Sequence, residues 1–193
     1  MVDIENCNNC HVAIGLHGGT RNDPNYCVMC HNPNLDTSGR MALPAPGDLD
    51  TSNSVSLARL VHRIHTGENA ESEYTLWGHT GSPVTFDEVR YPADRRECTR
   101  CHVDEASYDL PLSPDLLPAR TVTLDSAGAV ASTNYTPPTT NACVGCHDAP
   151  ATLAHAETMT TALGAEACAS CHASGSSFGM DVVHARPEYA FRP

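Results

Sequence analysis

Cysteine and histidine occur together in one pattern that repeats five times along this chain of 193 residues. Each copy reads Cys-x-x-Cys-His, and the five copies use all ten cysteines. The copies are Cys7–His11, Cys27–His31, Cys98–His102, Cys143–His147 and Cys168–His172. Two thiols at this spacing reach the two vinyl groups on one porphyrin edge, and the next residue then lies under the ring as an iron ligand. The sequence therefore predicts five covalently attached haems c, each with one iron.

Each motif supplies two covalent anchors and one axial ligand. The predicted thioether residues are Cys7, Cys10, Cys27, Cys30, Cys98, Cys101, Cys143, Cys146, Cys168 and Cys171. The predicted proximal iron ligands are His11, His31, His102, His147 and His172. Zinc sites and disulfides also use paired cysteines, but neither requires a histidine directly after each second cysteine. With 11 histidines in the chain, five such placements by chance have a probability on the order of one in a million.

Six histidines remain outside the motifs, against a need for five if every haem has two histidine ligands. The predicted distal ligands are His17, His62, His65, His155 and His184. His79 lies in the Gly78–Gly81 stretch and is predicted to be the unligated one. Methionine is an alternative axial ligand, although it more often serves as a packing residue. The candidates of this type are Met41, Met159 and Met180.

Two histidines on every iron leave no coordination position for a substrate, which predicts an electron-transfer protein rather than an enzyme. Bis-histidine ligation also predicts lower potentials than ligation by methionine and histidine. One alternative is a multihaem reductase with an open haem, but the lysine that replaces the motif histidine in the nitrite-reducing class is absent. A second alternative is a subunit of a cytochrome filament with haems stacked across interfaces.

Composition indicates how such a chain folds. Ten aromatic residues are poor material for a conventional core, whereas five haems leave about 39 residues for each. The predicted fold class is therefore mostly irregular and α, with few short helices, loops wrapped round five closely stacked haems, and one small β-hairpin. The net charge of −12 argues against nucleic acid and favours basic or neutral redox partners.

Several elements are predicted from local patterns. An apolar stripe predicts a helix over 54–66 that carries both His62 and His65 on one side, with Ser54 or Asn53 as its cap and Gly67 at its end. A second helix is predicted over Leu153–Leu163, and the motifs are expected to open short helices. Strands over Thr121–Leu124 and Ala129–Thr133 are predicted to form a surface hairpin.

The domain prediction is one pentahaem module over residues 1–193. It places haems 1 and 2 in 1–50, the ligand helix in 54–66, haem 3 near 98–102, a Pro/Ser/Thr-rich insertion in 110–141, and haems 4 and 5 in 142–193. No apolar stretch approaches the ~20 residues of a membrane span. Haem c is attached outside the cytoplasm, so the chain is expected to be exported, to the periplasm or the cell surface. The first motif already lies within Met1–Thr20, which favours a mature form or a domain of a larger protein.

Segments around the motifs also match a known family. They are Cys7–His11 with His17–Arg21 after it, Tyr26–Pro33, Leu60–Glu68, Val89–Pro92, Cys143–Asp148 and His184. In these segments the chain resembles the pentahaem domains of outer-membrane decahaem cytochromes of the MtrC/OmcA type. The resemblance implies closely stacked bis-histidine haems that form a conduction path with a side branch. It also implies electron delivery outside the cell to metal oxides, flavins or other multihaem cytochromes, and the same five distal histidines.

Overall fold

The computed structural model describes residues 2–185 of the chain. Its helices are α1 (Ile4–His11), α2 (Pro24–Cys30), α3 (Leu57–Thr66), α4 (Pro138–Cys143), α5 (Pro150–Thr158), α6 (Ala169–His172) and α7 (Met180–Val183). Its strands are β1 (Leu49–Thr51), β2 (Leu76–Trp77), β3 (Pro83–Val84), β4 (Ala119–Asp125) and β5 (Val130–Thr136). Three single turns of 3₁₀ helix span Gly67–Asn69, Cys98–Arg100 and Glu105–Ser107. The few short helices are thus as predicted, while the strand content exceeds the single predicted hairpin.

The predicted surface hairpin is confirmed as β4 and β5, which pair antiparallel from Ala119 opposite Thr136 onwards. Strand β1 pairs with the other edge of β4, so the order of this three-stranded sheet is β1-β4-β5. The turn lies one residue later than predicted, because β4 continues to Asp125 and the Asp125 carboxylate accepts hydrogen bonds from the backbone N–H groups of Ala127 and Ala129. These bonds hold Ala129 in the turn, and β5 begins one residue later.

Helix α3 carries the predicted apolar stripe and ends at Gly67, whose φ of 47° takes the chain out of the helix. Its start is three residues later than predicted, with Ser56 at the cap and no side-chain capping bond. The reason is that the preceding residues pair elsewhere: Ser54 bridges Asp36, and the N–H of Val55 donates to the carbonyl of Leu35. The prediction of Ser54 or Asn53 as the cap was wrong.

The first, second and fourth motifs close helices rather than opening them, whereas the third and fifth open short helical segments as predicted, a 3₁₀ turn from Cys98 and α6 after Cys168. Helices α1, α2 and α4 each end at a cysteine or histidine of a motif. In the first two, an aspartate four residues before the first cysteine caps the helix through its side chain. One or two turns then carry the chain onto the motif. Helix α5 also differs from its prediction, since it starts at Pro150 and ends at Thr158, before a turn closed by Gly164.

The apolar interior of residues 2–185 is small. Met41, Val122 and Leu124 form its buried cluster, with Trp77 packed against it. Helix α3 buries only Arg63 and Thr66, both polar. Helices α1, α2, α5, α6 and α7 bury none of their residues. Within the described range, no helix has the length and apolar character needed to cross a membrane.

Candidate haem-binding sites

The structure brings every motif histidine next to one of the five predicted distal histidines. The ring centroids are 6.0 Å apart for His11–His65, 6.0 Å for His17–His31, 6.3 Å for His62–His102, 5.9 Å for His147–His184 and 6.2 Å for His155–His172. Each pair therefore combines one histidine from a motif with one from outside the motifs. No histidine belongs to two pairs.

This spacing is what two imidazoles on opposite sides of one metal ion require. A metal–imidazole bond is about 2 Å long, and the ring centroid lies about 1 Å behind the bonding nitrogen, so the two centroids are about 6 Å apart. Directly packed rings approach to shorter separations within the 4.5–7 Å range of aromatic pairs. Five pairs that fall between 5.9 and 6.3 Å thus fit one iron between each two rings.

Hydrogen bonds at Nδ1 fix the direction in which most of these rings point. Carbonyl oxygens of Val55, Ala142, Val61, Phe178 and Met180 accept from His31, His62, His65, His172 and His184, respectively. A carbonyl accepts only, so these rings carry the proton on Nδ1 and leave the Nε2 lone pair for a metal. His102 bonds to the Ser107 hydroxyl in the same way, at 2.8 Å. Every pair contains at least one ring oriented like this.

Burial keeps the imidazoles of the pair His62–His102 neutral. Burial lowers the pKa of His62, and the hydrogen bond to Ala142 only partly opposes this. Burial, followed by the nearby His62, lowers the pKa of His102 to about 4. Both imidazoles are therefore unprotonated at neutral pH, which is the form that binds a metal.

Helix α3 brings two motifs to one rigid element. His62 and His65 lie three residues apart on α3, and their rings face His102 of the third motif and His11 of the first. The ring of His65, which faces His11, also contacts Tyr91, which packs edge-on against it with 5.5 Å between the ring centroids. Helix α3 therefore presents two histidines to two different motifs.

The remaining candidate ligands are not members of the five ring pairs. His79 is exposed in the turn between β2 and β3. Met41 belongs to the apolar cluster, and Met159 is the residue that follows α5. Met180 accepts the Nδ1 proton of His184 through its backbone carbonyl and so orients a histidine. Among the ring contacts of the described residues, none joins His79 to a motif histidine.

Neighbouring motifs approach each other in a definite order. Burial, followed by the proximity of Cys7 and Cys10, raises the pKa of Cys101, and the Asn6 side chain donates to the Cys101 carbonyl at 3.3 Å. Burial and, less strongly, Cys146 raise the pKa of Cys98. Burial, followed by Cys168 and Glu166, raises the pKa of Cys143 to about 11. The first motif thus lies beside the third, the third beside the fourth, and the fourth beside the fifth.

The second motif adjoins the first. Cys27 contributes to the raised pKa of Cys7, after burial and Asp3. His17, which faces His31 of the second motif, comes six residues after His11 in a turn closed by pairing of Leu16 with Arg21. Its φ of 51° lies in the left-handed region, and the two glycines that follow continue this conformation. The spatial order of the motifs is second, first, third, fourth and fifth.

The cysteine sulfurs form neither disulfides nor a compact metal cage. No disulfide joins any two of the ten cysteines. In residues 2–185, no group of three or more histidine, cysteine or acidic side chains converges as a metal-ion site.

Sequence reasoning missed the groups that support the rings. Most are backbone carbonyls, which leave no residue-type signature. It also missed two side chains next to the predicted ligands that have a signal in the sequence: Asp148 directly follows the fourth motif, and Arg63 lies between His62 and His65. These two side chains form a buried ion pair with 2.6 Å between Arg63 Nη1 and Asp148 Oδ2.

Five cysteine pairs on short helices and turns, with histidine rings paired at the separation of axial ligands, define a c-type multihaem cytochrome module. The chain belongs to the family described as outer membrane cytochrome MtrC/MtrF-like, domains II/IV, whose model matches residues 1–185. The sequence-based assignment to cytochromes of the MtrC/OmcA type is thereby confirmed.

The crystal structure of the outer membrane decaheme cytochrome OmcA has a similar fold. The sequences are 20% identical, the TM-score is 0.51, and the match covers 95% of this chain. It covers 24% of the OmcA chain, so this chain spans about a quarter of that protein's length. Comparison with curated protein sequences finds no match.

Proposed function

We propose that this chain carries electrons through five covalently bound haems c, each held between two histidines. The ten motif cysteines form the thioether bonds. The proposed axial pairs are His11 with His65, His31 with His17, His102 with His62, His147 with His184 and His172 with His155. When bound, each haem supplies an iron that gains and loses one electron. The proposal treats the chain as one pentahaem module over 1–193, of which residues 186–193 lie outside the described range.

The observation that carries the proposal is the one-to-one pairing of histidine rings at about 6 Å. Five separate pairs agree in spacing, although they come from different elements and differ in interplanar angle. Histidine on both sides of an iron excludes a substrate from it, so the arrangement favours electron transfer over catalysis at an open haem.

The order of the motifs defines the proposed path. Electrons enter or leave at the second and fifth motifs and pass through the first, third and fourth. Helix α3 lies at the centre of this path, because His62 and His65 face the third and first motifs. The proximity of Cys98 to Cys146 supports continuity between the third and fourth motifs.

The proposed partners are other multihaem cytochromes or redox proteins, with metal oxides and flavins as possible extracellular acceptors. Family membership supports a place at or outside the outer membrane. The net charge of −12 favours partner surfaces that are basic or neutral, through electrostatic steering.

The test is the visible spectrum of the reduced, haem-loaded protein before and after addition of carbon monoxide. We expect five haems by mass and no shift, since no iron has a free position. His62→Ala is expected to shift about a fifth of the Soret intensity, because it opens one of five irons. His79→Ala is the matched control and is expected to shift nothing. A shift in the wild-type protein would overturn the proposal and favour a reductase with an open haem.

A further inference from the structure

We propose that the buried ion pair between Arg63 and Asp148 positions the ligands on α3 against the fourth motif and sets the potentials of the haems held there. The inference rests on the proposed function. Arg63 and Asp148 are positioning residues, because neither provides an axial ligand or a thioether bond. Their place in the chain is what gives them this role: Arg63 lies between His62 and His65, and Asp148 directly follows His147.

The pair is enclosed by protein. The side chains of Arg63 and Asp148 are 1% and 4% exposed, and Arg63 Nη1 lies 2.6 Å from Asp148 Oδ2. Arg63 also packs over the ring of Tyr74, with its guanidinium carbon 5.7 Å from the ring centroid. A charge at such a site acts on its surroundings with little screening by water or salt.

A short loop completes the shell around the carboxylate. The backbone N–H groups of Glu71 and Ser72 and the Ser72 hydroxyl all donate to Asp148. Arg63 in turn donates to the carbonyl and hydroxyl of Ser72. A carboxyl group that accepts from a guanidinium, two backbone N–H groups and a hydroxyl has the partners of an ionised carboxylate. The carboxylate is therefore ionised and fixed in direction.

Two further contacts hold α3 against the fourth motif. The Thr66 hydroxyl lies 2.8 Å from the carbonyl of His62 and 2.9 Å from that of Gly145. A Cβ at Gly145 would lie 2.4 Å from the Cβ of His62, so only glycine allows this approach. The fourth motif thus lies directly against the backbone that carries His62, and the ion pair is formed by the next residue of α3, Arg63.

The charges of Arg63 and Asp148 predict the direction in which each haem potential shifts, whereas a purely structural role predicts no direction. Together they are neutral, and their fields largely cancel at the neighbouring irons. Without the carboxylate, a buried cation remains, which favours the electron-rich, reduced haem and raises its potential. Without the guanidinium, a buried anion remains and lowers the potential.

The test is a spectroelectrochemical redox titration of the haem-loaded variants Asp148→Asn and Arg63→Gln. Asp148→Asn is expected to raise at least one of the five potentials, and Arg63→Gln to lower at least one. The double variant is expected to lie between them, near wild type. Arg90→Gln is the control, because its ion pair with Glu68 is exposed, at 83% and 45% for the two side chains; we expect no shift there.

Shifts of equal sign in both single variants, or none with five haems loaded, would overturn the inference. If either variant loads fewer than five haems, Ser72→Ala provides the milder test. It removes one donor from Asp148, leaves the carboxylate field less compensated, and is expected to lower the same potential that Arg63→Gln lowers. An unchanged potential in Ser72→Ala would also count against the inference. Failure of the proposed function is separate, since it appears as a carbon monoxide shift in the wild-type protein.

Discussion

The three-stranded sheet and the motif-bearing helices are built in different ways. The sheet has an apolar cluster of Met41, Val122 and Leu124 on one side, closed by Trp77. The helices α1, α2, α5, α6 and α7 bury none of their own residues. A helix of four to nine residues without a buried face is not stable by itself in water. The sheet thus has its own interior, whereas the helices depend on something the polypeptide does not supply.

The two regions also differ in whether their apolar side chains are buried or exposed. In the sheet, Val122 and Leu124 of β4 pack on Met41, and the exposed apolar side chains lie on the outer strands, as Val130 does on β5. Around the motifs, apolar side chains remain exposed, as for Val12 at 93%, Met29 at 72% and Phe178 at 64%. Surfaces of this kind fit a large apolar cofactor. The contact between α3 and the fourth motif, which the protein makes by itself, is polar and relies on hydrogen bonds and an ion pair.

The largest effect is expected when haem attachment is blocked. In a chain produced without haem, we expect the backbone amides of α1, α2, α5 and α6 to exchange with deuterium at the rate of an unfolded chain. The β4–β5 hairpin should keep measurable protection, because part of its packing is within the protein. Hydrogen exchange read by mass spectrometry makes the comparison with the haem-loaded protein. Equal protection of both regions without haem would contradict the contrast drawn between them.

A smaller but sharp effect is expected at the polar contact between α3 and the fourth motif. Gly145→Ala places a methyl group 2.4 Å from the Cβ of His62, so the motif or α3 must move. We expect a loss of about 3 kcal/mol in the free energy of unfolding. Loosening of His62 should also open one iron to carbon monoxide. Gly39→Ala is the matched control, because a Cβ there meets nothing within 4 Å and no change is expected.

The sequence could predict the elements whose pattern is local. The stripe on α3 and the Asp125–Gly128 turn both depend on residues close together in the chain, and both elements are present. The start of α3 was predicted wrongly because Ser54 and Val55 pair with Asp36 and Leu35. Such pairing depends on a segment about twenty residues away that has no periodic signal. The sheet strand β1 and the β2–β3 hairpin, with two or three residues in each strand, are also too short to be predicted from a pattern.

For the candidate site, the number of histidines predicted which of them are candidate iron ligands but not which motif histidine each distal histidine faces. Five motif rings and five others allow many pairings, and only the fold selects one. His17 faces His31, although it follows His11 in sequence, because the turn between Leu16 and Arg21 directs it toward the second motif. The supporting carbonyls, such as those of Ala142 and Phe178, were beyond sequence reasoning, since every residue has a carbonyl.

A moderate effect is expected in the sheet, and it should leave the haems unaffected. Val122 is 5% exposed in the apolar cluster, so Val122→Ala removes two buried methyl groups and is expected to cost about 2 kcal/mol. Val130→Ala is the matched control in the same sheet, because Val130 is 63% exposed. Denaturant unfolding measures the first effect. A redox titration should find all five potentials unchanged in both variants, and a shift in Val122→Ala would show that the two regions are coupled.

The smallest effect is expected at Glu166, where the two regions meet. Its carboxylate accepts from the N–H groups of Thr139 and Thr140 at 2.9 and 2.6 Å, and from the Thr140 hydroxyl at 2.6 Å. It thereby accepts hydrogen bonds from N–H groups in the first turn of α4, the helix that follows β5. Glu166 itself lies two residues before Cys168 of the fifth motif. An anion at a helix start is favoured by the unpaired N–H groups there.

Glu166→Gln keeps the length of this side chain and removes the charge, so we expect a loss of about 1 kcal/mol in the free energy of unfolding. The measurement is denaturant unfolding of the haem-loaded protein. Glu157→Gln on α5 removes the same charge from an exposed position and is expected to change stability far less. Equal losses in the two variants would mean that net charge, not the cap on α4, sets the effect. A loss confined to Glu166→Gln would identify this carboxylate as the link that holds the fifth motif against the fourth.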